Sequence, residues 1–242
     1  MKQIAVDAVC RSVRVSQTTL NLLRECERCF WLHLHGVRRP GGSEGSWPTI
    51  ARGLDTVISH YCAPYRDQDV LPPLLSQHLR GRLVTVRIGP CFDPDTGLTL
   101  VDRLHECLEV DGGLFAPIDH KTQGLAPHGV PAADQLQLDL YTLLLAENGY
   151  SVAGYGVVAY YVPVDGELHE GFPFKLRVRK ADTDPERART WLQRARALLD
   201  LPEAPEASPE CAYCGWALDA GTAAGVMPPA ETAADKIEAL VR

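Results

Sequence analysis

The sequence has little that would suit a membrane protein or a basic coat for nucleic acid. It has no apolar run long enough to cross a bilayer: stretches such as 157–164 are among its longest, and a spanning helix needs about 20 such residues. The segment Met1-Lys2-Gln3-Ile4-Ala5-Val6-Asp7 carries an acid early and no long apolar core follows, so no signal peptide is expected. Basic charge is in the minority, with 24 Lys and Arg against 31 Asp and Glu for a net charge of −7. A generally basic surface is excluded, and any contact with nucleic acid has to come from local patches. No internal repeat is visible. These absences predict a soluble cytoplasmic protein without membrane partners, in a compartment where thiols stay reduced and disulfides are rare.

What is present is an ordinary globular composition, 45% hydrophobic, and 242 residues, enough for one large domain or two small ones with a real core. Eight cysteines need an explanation in a reducing compartment. Cys10, Cys62, Cys91 and Cys107 have no tight spacing and read as small buried apolar residues. The others form two Cys-x-x-Cys pairs, Cys26-Glu27-Arg28-Cys29 and Cys211-Ala212-Tyr213-Cys214. Four soft thiolates at that spacing predict a tetrahedral four-sulfur site holding structural Zn²⁺ or a [4Fe–4S] cluster.

Hydrophobic periodicity predicts helices over 17–35, 50–62, 74–79, 132–148 and 185–200. Alternation predicts strands over 82–88, 98–110, 114–119, 152–163 and 168–179. Asp111-Gly112-Gly113 is a hairpin signal between two of them. An alanine-rich tail after residue 216 frays or forms a helix at 231–241. The fold class is α/β, with a mixed central sheet flanked by helices and an N-terminal helical part. The division is a domain over 1–216 and a tail over 217–242.

Asp119-His120-Lys121 ends an apolar strand. Positions 119 and 121 point to one face of a strand. A carboxylate there can hold a divalent cation, and an ammonium can stabilise an attacking hydroxide or the transition state of phosphodiester hydrolysis. Alone the pattern is weak, since surface ion pairs at strand ends are common.

Its surroundings add weight. The stretch Val110-Asp111-Gly112-Gly113-Leu114-Phe115-Ala116-Pro117-Ile118-Asp119-His120-Lys121-Thr122 resembles the hairpin of the RecB-like branch of PD-(D/E)XK nucleases, which includes CRISPR adaptation exonucleases and AddB-type helicase-nucleases. Gln137 and Tyr141, four apart on a helix, resemble the Gln-x-x-x-Tyr element of that branch. The opening Ser16-Gln17-Thr18-Thr19-Leu20 followed by Cys26-Glu27-Arg28-Cys29-Phe30-Trp31-Leu32 resembles its first helix. The resemblance implies a restriction-endonuclease-like core and catalytic roles for Asp119, Lys121, Gln137 and Tyr141. It implies Mg²⁺ or Mn²⁺ at Asp119 with an acid from the preceding strand. Two registers compete for that acid. One makes it Asp102; the other puts His105 in its place with Glu106 beside it. Histidine suits Mn²⁺ better than Mg²⁺, which prefers oxygen ligands. On the second helix, Asp55 and His60 both fall near an upstream ligand position.

The same resemblance favours [4Fe–4S] at Cys26, Cys29, Cys211 and Cys214, although relatives place one cysteine early and three late. The implied activity is a metal-dependent DNA exonuclease on single-stranded ends or flaps, in repair, recombination or CRISPR adaptation alongside proteins of those pathways. The alternative is a catalytically weakened DNA-binding subunit. Candidate phosphate contacts are Lys175, Arg177, Arg179 and Lys180 on one strand, Arg187, Arg189, Arg194 and Arg196 on the next helix, and Arg24, Arg28, Arg38 and Arg39 near the first cysteine pair, with Trp31 available to stack on bases.

Overall fold

A computed structural model of the protein describes residues 12–39, 49–168 and 171–226. The helices, in chain order, are α1 (Gln17–Glu25), α2 (Glu27–Leu34), α3 (Thr49–Arg66), α4 (Pro73–Ser76), α5 (Ala132–Glu147), α6 (Pro185–Leu199) and α7 (Ala212–Ala223). The strands are β1 (Val13–Val15), β2 (Arg82–Val84), β3 (Cys91–Asp93), β4 (Leu98–Leu100), β5 (Glu106–Val110), β6 (Leu114–Thr122), β7 (Tyr155–Pro163) and β8 (Phe174–Asp182). The chain divides into two compact units, one from the described parts of Met1–Asn21 and Gly41–Ala197, the other from those of Leu22–Pro40 and Leu198–Arg242.

The first unit is organised by a five-stranded sheet in the order β2-β5-β6-β7-β8. All its pairings are antiparallel except β6 with β7, which are parallel. A parallel pair needs a crossover, and α5 supplies it. The β5–β6 hairpin closes through Gly112 and Gly113, whose φ values of 86° and 73° favour glycine. Alternation sorts the side chains. Ala116 and Ile118 of β6 and Val157, Ala159 and Tyr161 of β7 join Ile58 and Cys62 of α3, together with Leu75, Leu79, Leu83 and Leu108, in one apolar cluster. Val158, Tyr160 and Val162 turn to the other face and pack with Leu138 of α5. The result is the expected α/β class, a mixed central sheet flanked by helices.

A smaller sheet, β1-β4-β3, was not anticipated. Its strands are three residues each, too short for alternation to register. The single strand expected over 98–110 is therefore two, in different sheets, with 101–105 passing between them. Asp102 shapes that passage: Oδ1 accepts from its neighbour's Arg103 N–H at 2.9 Å and Oδ2 from Gln17 N–H at 2.7 Å. A side chain that takes up backbone donors in this way competes with the sheet ladder.

Three further expectations change. The helix over 17–35 is broken at Cys26, which is extended (φ −162°, ψ 112°) and caps α2. The strand over 82–88 ends at Val84. A helix over 212–223, crossing residue 216, lies where the sequence pattern gave none. The helix expected at 231–241 lies outside the described residues, as does Cys10. Among the described residues, no helix is long and apolar enough to cross a membrane.

Candidate active site and cysteine cluster

Asp119, in the middle of the sheet and 1% exposed, is the centre of the first constellation. Its Oδ1 lies 3.0 Å from His105 Nδ1 and accepts from Gln137 Nε2 at 2.8 Å. Its Oδ2 forms a buried ion pair with Lys121 Nζ at 2.8 Å. The ammonium also donates to Gln137 Oε1 at 2.6 Å. The second amide hydrogen of Gln137 goes to the Tyr141 hydroxyl at 2.7 Å. One glutamine amide thus fixes the aspartate, the lysine and the tyrosine from a single turn of α5. Helical spacing of four brings Gln137 and Tyr141 to one face, and strand spacing of two does the same for Asp119 and Lys121.

Electrostatics favour an ionised aspartate. Burial alone would raise the Asp119 pKa, but the hydrogen bond from His105 and the charge of Lys121 bring it below the ordinary carboxylate value. His105 moves the other way. Burial opposes its charge, yet the bond and charge of Asp119 raise its pKa overall. Burial raises Asp102, against the pull of its two backbone hydrogen bonds. Tyr141 is pushed far up by burial and by the nearby Asp102 and Asp119, and it stays a neutral phenol.

Next to Asp119 lies a cavity of about 380 Å³ lined in part by Asp55, Asp102, His105, Glu106, Lys121 and Tyr141. Both candidate positions for the first acid therefore reach one place. His105 touches Asp119 directly, while Asp102 lines the same cavity from the passage before β5. Asp55 of α3 lines it too. His60 is exposed and lies outside it; five residues along a helix turn a side chain well away from its neighbour's direction.

Glu106 lines the same cavity, but its carboxylate is engaged elsewhere. It pairs across the hairpin with Ile118, so its side chain lies on the face opposite Asp119. There both oxygens bind Arg66 Nη1, at 2.5 and 2.6 Å. Cys62, Glu106 and His120 come within 4.8 Å of one another, all buried. Burial pushes Cys62 up to about 12 and His120 down to about 4, and Arg66 already satisfies the carboxylate. Tyr161 hydroxyl and His120 Nδ1 are 3.2 Å apart in the same group.

The donor chemistry around Asp119 fits a divalent cation. Asp119 is paired with Lys121, and Lys121 lines a cavity together with the carboxylates of Asp102 and Asp55, so oxygen donors of the kind divalent cations prefer lie near one another. Among the described residues, Asp102, His105 and Asp119 do not bring three ligand atoms within 4.8 Å of one another.

In the second unit the four cysteines of the two Cys-x-x-Cys pairs converge, all within 4.8 Å of one another. Cys26 and Cys211 cap α2 and α7. The set is able to hold a metal.

Sequence comparison places this geometry. Residues 99–217 match the PD-(D/E)XK nuclease superfamily. This stretch is a PD-(D/E)XK nuclease superfamily domain. Members of that superfamily are typically metal-dependent nucleases that use Mg²⁺ or Mn²⁺ and act on DNA. The PD-(D/E)XK stretch begins in β4, contains the whole β5–β6 hairpin, α5 and β7, and extends past Cys214. No curated protein matches the chain. Among solved structures, one titled "Crystal structure of SSO0001" aligns with 84% of this chain and 84% of its own, at 14% identity and a TM-score of 0.40.

Asp134 is the site residue that sequence reading missed. It is buried, accepts from the Tyr160 hydroxyl at 2.6 Å and stands 3.9 Å from Lys121 Nζ. Its position three residues before Gln137 on α5 was the available signal. Several basic residues proposed as phosphate contacts are instead engaged within the protein. Arg187 pairs with Asp139 at 2.7 Å, and Arg189 contacts Asp93, Glu147 and Glu186. Trp31 stacks on His35 at 3.6 Å.

Proposed function

We propose that the chain is a divalent-metal-dependent DNA nuclease that hydrolyses phosphodiesters in single-stranded or free-ended DNA. The observation that carries the reading is the buried Asp119–Lys121 ion pair, with both residues held by the Gln137 amide inside a PD-(D/E)XK domain. Asp119 would hold the cation together with Asp102 and His105, and Asp55 stands at the rim. The bound ion supplies charge neutralisation at the phosphate and a water of lowered pKa. Lys121 directs an ammonium toward the reacting phosphate and stabilises the charge that develops there. Gln137 is a positioning residue, since its contacts are to Asp119, Lys121 and Tyr141. Tyr141 remains protonated and accepts from Gln137, which leaves its own hydrogen for a phosphate oxygen. His105 has to release its proton to coordinate, and an imidazole in the set favours Mn²⁺ over Mg²⁺. The cavity is walled by α1, α3 and α5, an enclosure that suits one strand better than a duplex.

The test is digestion of end-labelled single-stranded, duplex and flap DNA with Mg²⁺ and with Mn²⁺, for wild type, Asp119→Asn and Lys121→Ala. Metal-dependent cleavage by wild type and its loss in both variants is expected. Equal activity in all three proteins overturns the proposal.

A second reading, a DNA-binding subunit with a weakened site, is favoured by one observation. His105 stands against Asp119 where a second acid would serve an ion better, and the three candidate ligands are not closed around a point. Calorimetric titration with Mn²⁺ separates the two: binding that Asp119→Asn abolishes supports the nuclease, and DNA binding without ion binding supports the subunit.

A further inference from the structure

The four-cysteine site carries more than its ability to bind a metal, because its dimensions discriminate between ions. The Sγ–Sγ separations are 3.4 Å for Cys29–Cys214, 3.7 Å for Cys29–Cys211 and 3.9 Å for Cys26–Cys214. A tetrahedral ion with four bonds of about 2.3 Å sets neighbouring sulfurs about 3.8 Å apart. A [4Fe–4S] cluster binds each thiolate to a different iron, so the protein sulfurs stand outside a cage of eight atoms. Four sulfurs that all lie within 4.8 Å of one another enclose no such cage. The cluster implied by the resemblance to RecB-like nucleases does not fit these residues.

We propose that Cys26, Cys29, Cys211 and Cys214 hold a single tetrahedral Zn²⁺ ion. Zinc takes four thiolates without geometric preference from its d electrons and forms closed structural sites of this composition. It also outcompetes iron for a given one-ion site in the usual order of divalent affinities.

Zn²⁺ with four thiolates carries a double negative charge, which a nearby cation offsets. Cys26, Cys29 and Cys211 are buried and Cys214 is half-buried, so no position is left open for a substrate. The Cys214 backbone N–H donates to the Cys211 sulfur. Arg39 brings the compensating cation. Its Nη2 stands 3.5 Å from Cys211 Sγ, its Nη1 is anchored on Glu25 at 2.7 Å, and its guanidinium lies 4.5 Å over the Tyr213 ring. Arg39 thus joins the second cysteine pair to α1 through charge, as the ion does through bonds. The role is structural: the ion closes the chain between positions 29 and 211, a separation of 182 residues.

The experiment uses the full chain purified without oxygen and without added metal. Elemental analysis is expected to give a single zinc per chain, with no acid-labile sulfide and no visible absorbance. Growth with Co²⁺ is expected to give the thiolate-to-metal and d–d bands of a tetrahedral tetrathiolate. Cys29→Ser and Cys214→Ser are expected to lose the zinc. Arg39→Gln, which removes no ligand, is expected to retain zinc but release it faster to a chromogenic chelator. Iron with equimolar sulfide in a brown protein overturns the proposal. So does a red protein with one iron, or a folded wild type that carries no metal and gives no Co²⁺ spectrum. None of these readouts depends on nuclease activity.

Discussion

Removing Arg66 tests whether Glu106 truly belongs to the face away from Asp119. The Glu106 side chain is 2% exposed, and that of Arg66 24%. Both carboxylate oxygens bind Arg66. Arg66→Ala therefore leaves a buried carboxylate with no counter-ion in this pairing. Deleting one partner of a buried ion pair costs about 3–5 kcal/mol. Arg66 is partly exposed, so water can reach the vacated side, and the lower end, about 3 kcal/mol, applies. For a chain of this size about 2–4 °C of Tm accompanies each kcal/mol, giving a fall of roughly 6–12 °C in a thermal melt at neutral pH. The charge dependence fixes the cause. Burial has already raised the Glu106 pKa in the folded protein, and loss of Arg66 raises it further. A folded-state pKa above the unfolded value disfavours the ionised form, so stability falls as pH rises through it and is regained below the ordinary glutamate value near about 4.3. The gap in Tm between variant and wild type is expected to narrow as pH falls into that range. A double variant, Glu106→Gln with Arg66→Met, is expected to recover most of the loss. A Tm shift under about 2 °C at neutral pH, or one independent of pH, would refute the assignment.

Other outcomes follow from the same geometry. Glu106→Gln is expected to keep metal-dependent cleavage, while Asp119→Asn abolishes it; Lys121→Ala is expected to lower kcat by about 10²–10³, the effect of removing one charge-stabilising donor. Gln137→Leu leaves all proposed ligands in place but frees Lys121 and Asp119 from their shared amide. Its metal affinity or activity is expected to fall by about 10–100-fold, with the far-UV circular dichroism unchanged. His60→Ala is expected to alter neither Mn²⁺ binding nor cleavage, as measured by calorimetry and by gel assay. Chelation of the four-cysteine metal is expected to lower the Tm with little change in Mn²⁺ affinity at Asp119.

Much of the site was legible in the sequence, because two regular periods carried it. The strand period of two placed Asp119 and Lys121 on one face, and the helix period of four placed Gln137 and Tyr141 together; the structure joins all four through one amide. The two Cys-x-x-Cys pairs announced a four-sulfur site. The α/β class followed from alternating runs, and the β5–β6 turn from adjacent glycines. Alternation failed between 98 and 110. There a pattern that reads as one strand is two strands in separate sheets, so alternation does not relate Asp102 to His105 and Glu106.

The sequence by itself determined which chemical groups this protein has and which of them share a face within one element, since those relations are set by backbone geometry over a few residues. Only the tertiary structure decided which elements meet. It put His105 against Asp119, gave Glu106 to Arg66 on the far side of the sheet, turned His60 away, and set the cysteine sulfurs close enough for one ion and too close for a cage of iron and sulfide. These placements depend on sheet register and core packing rather than on local spacing.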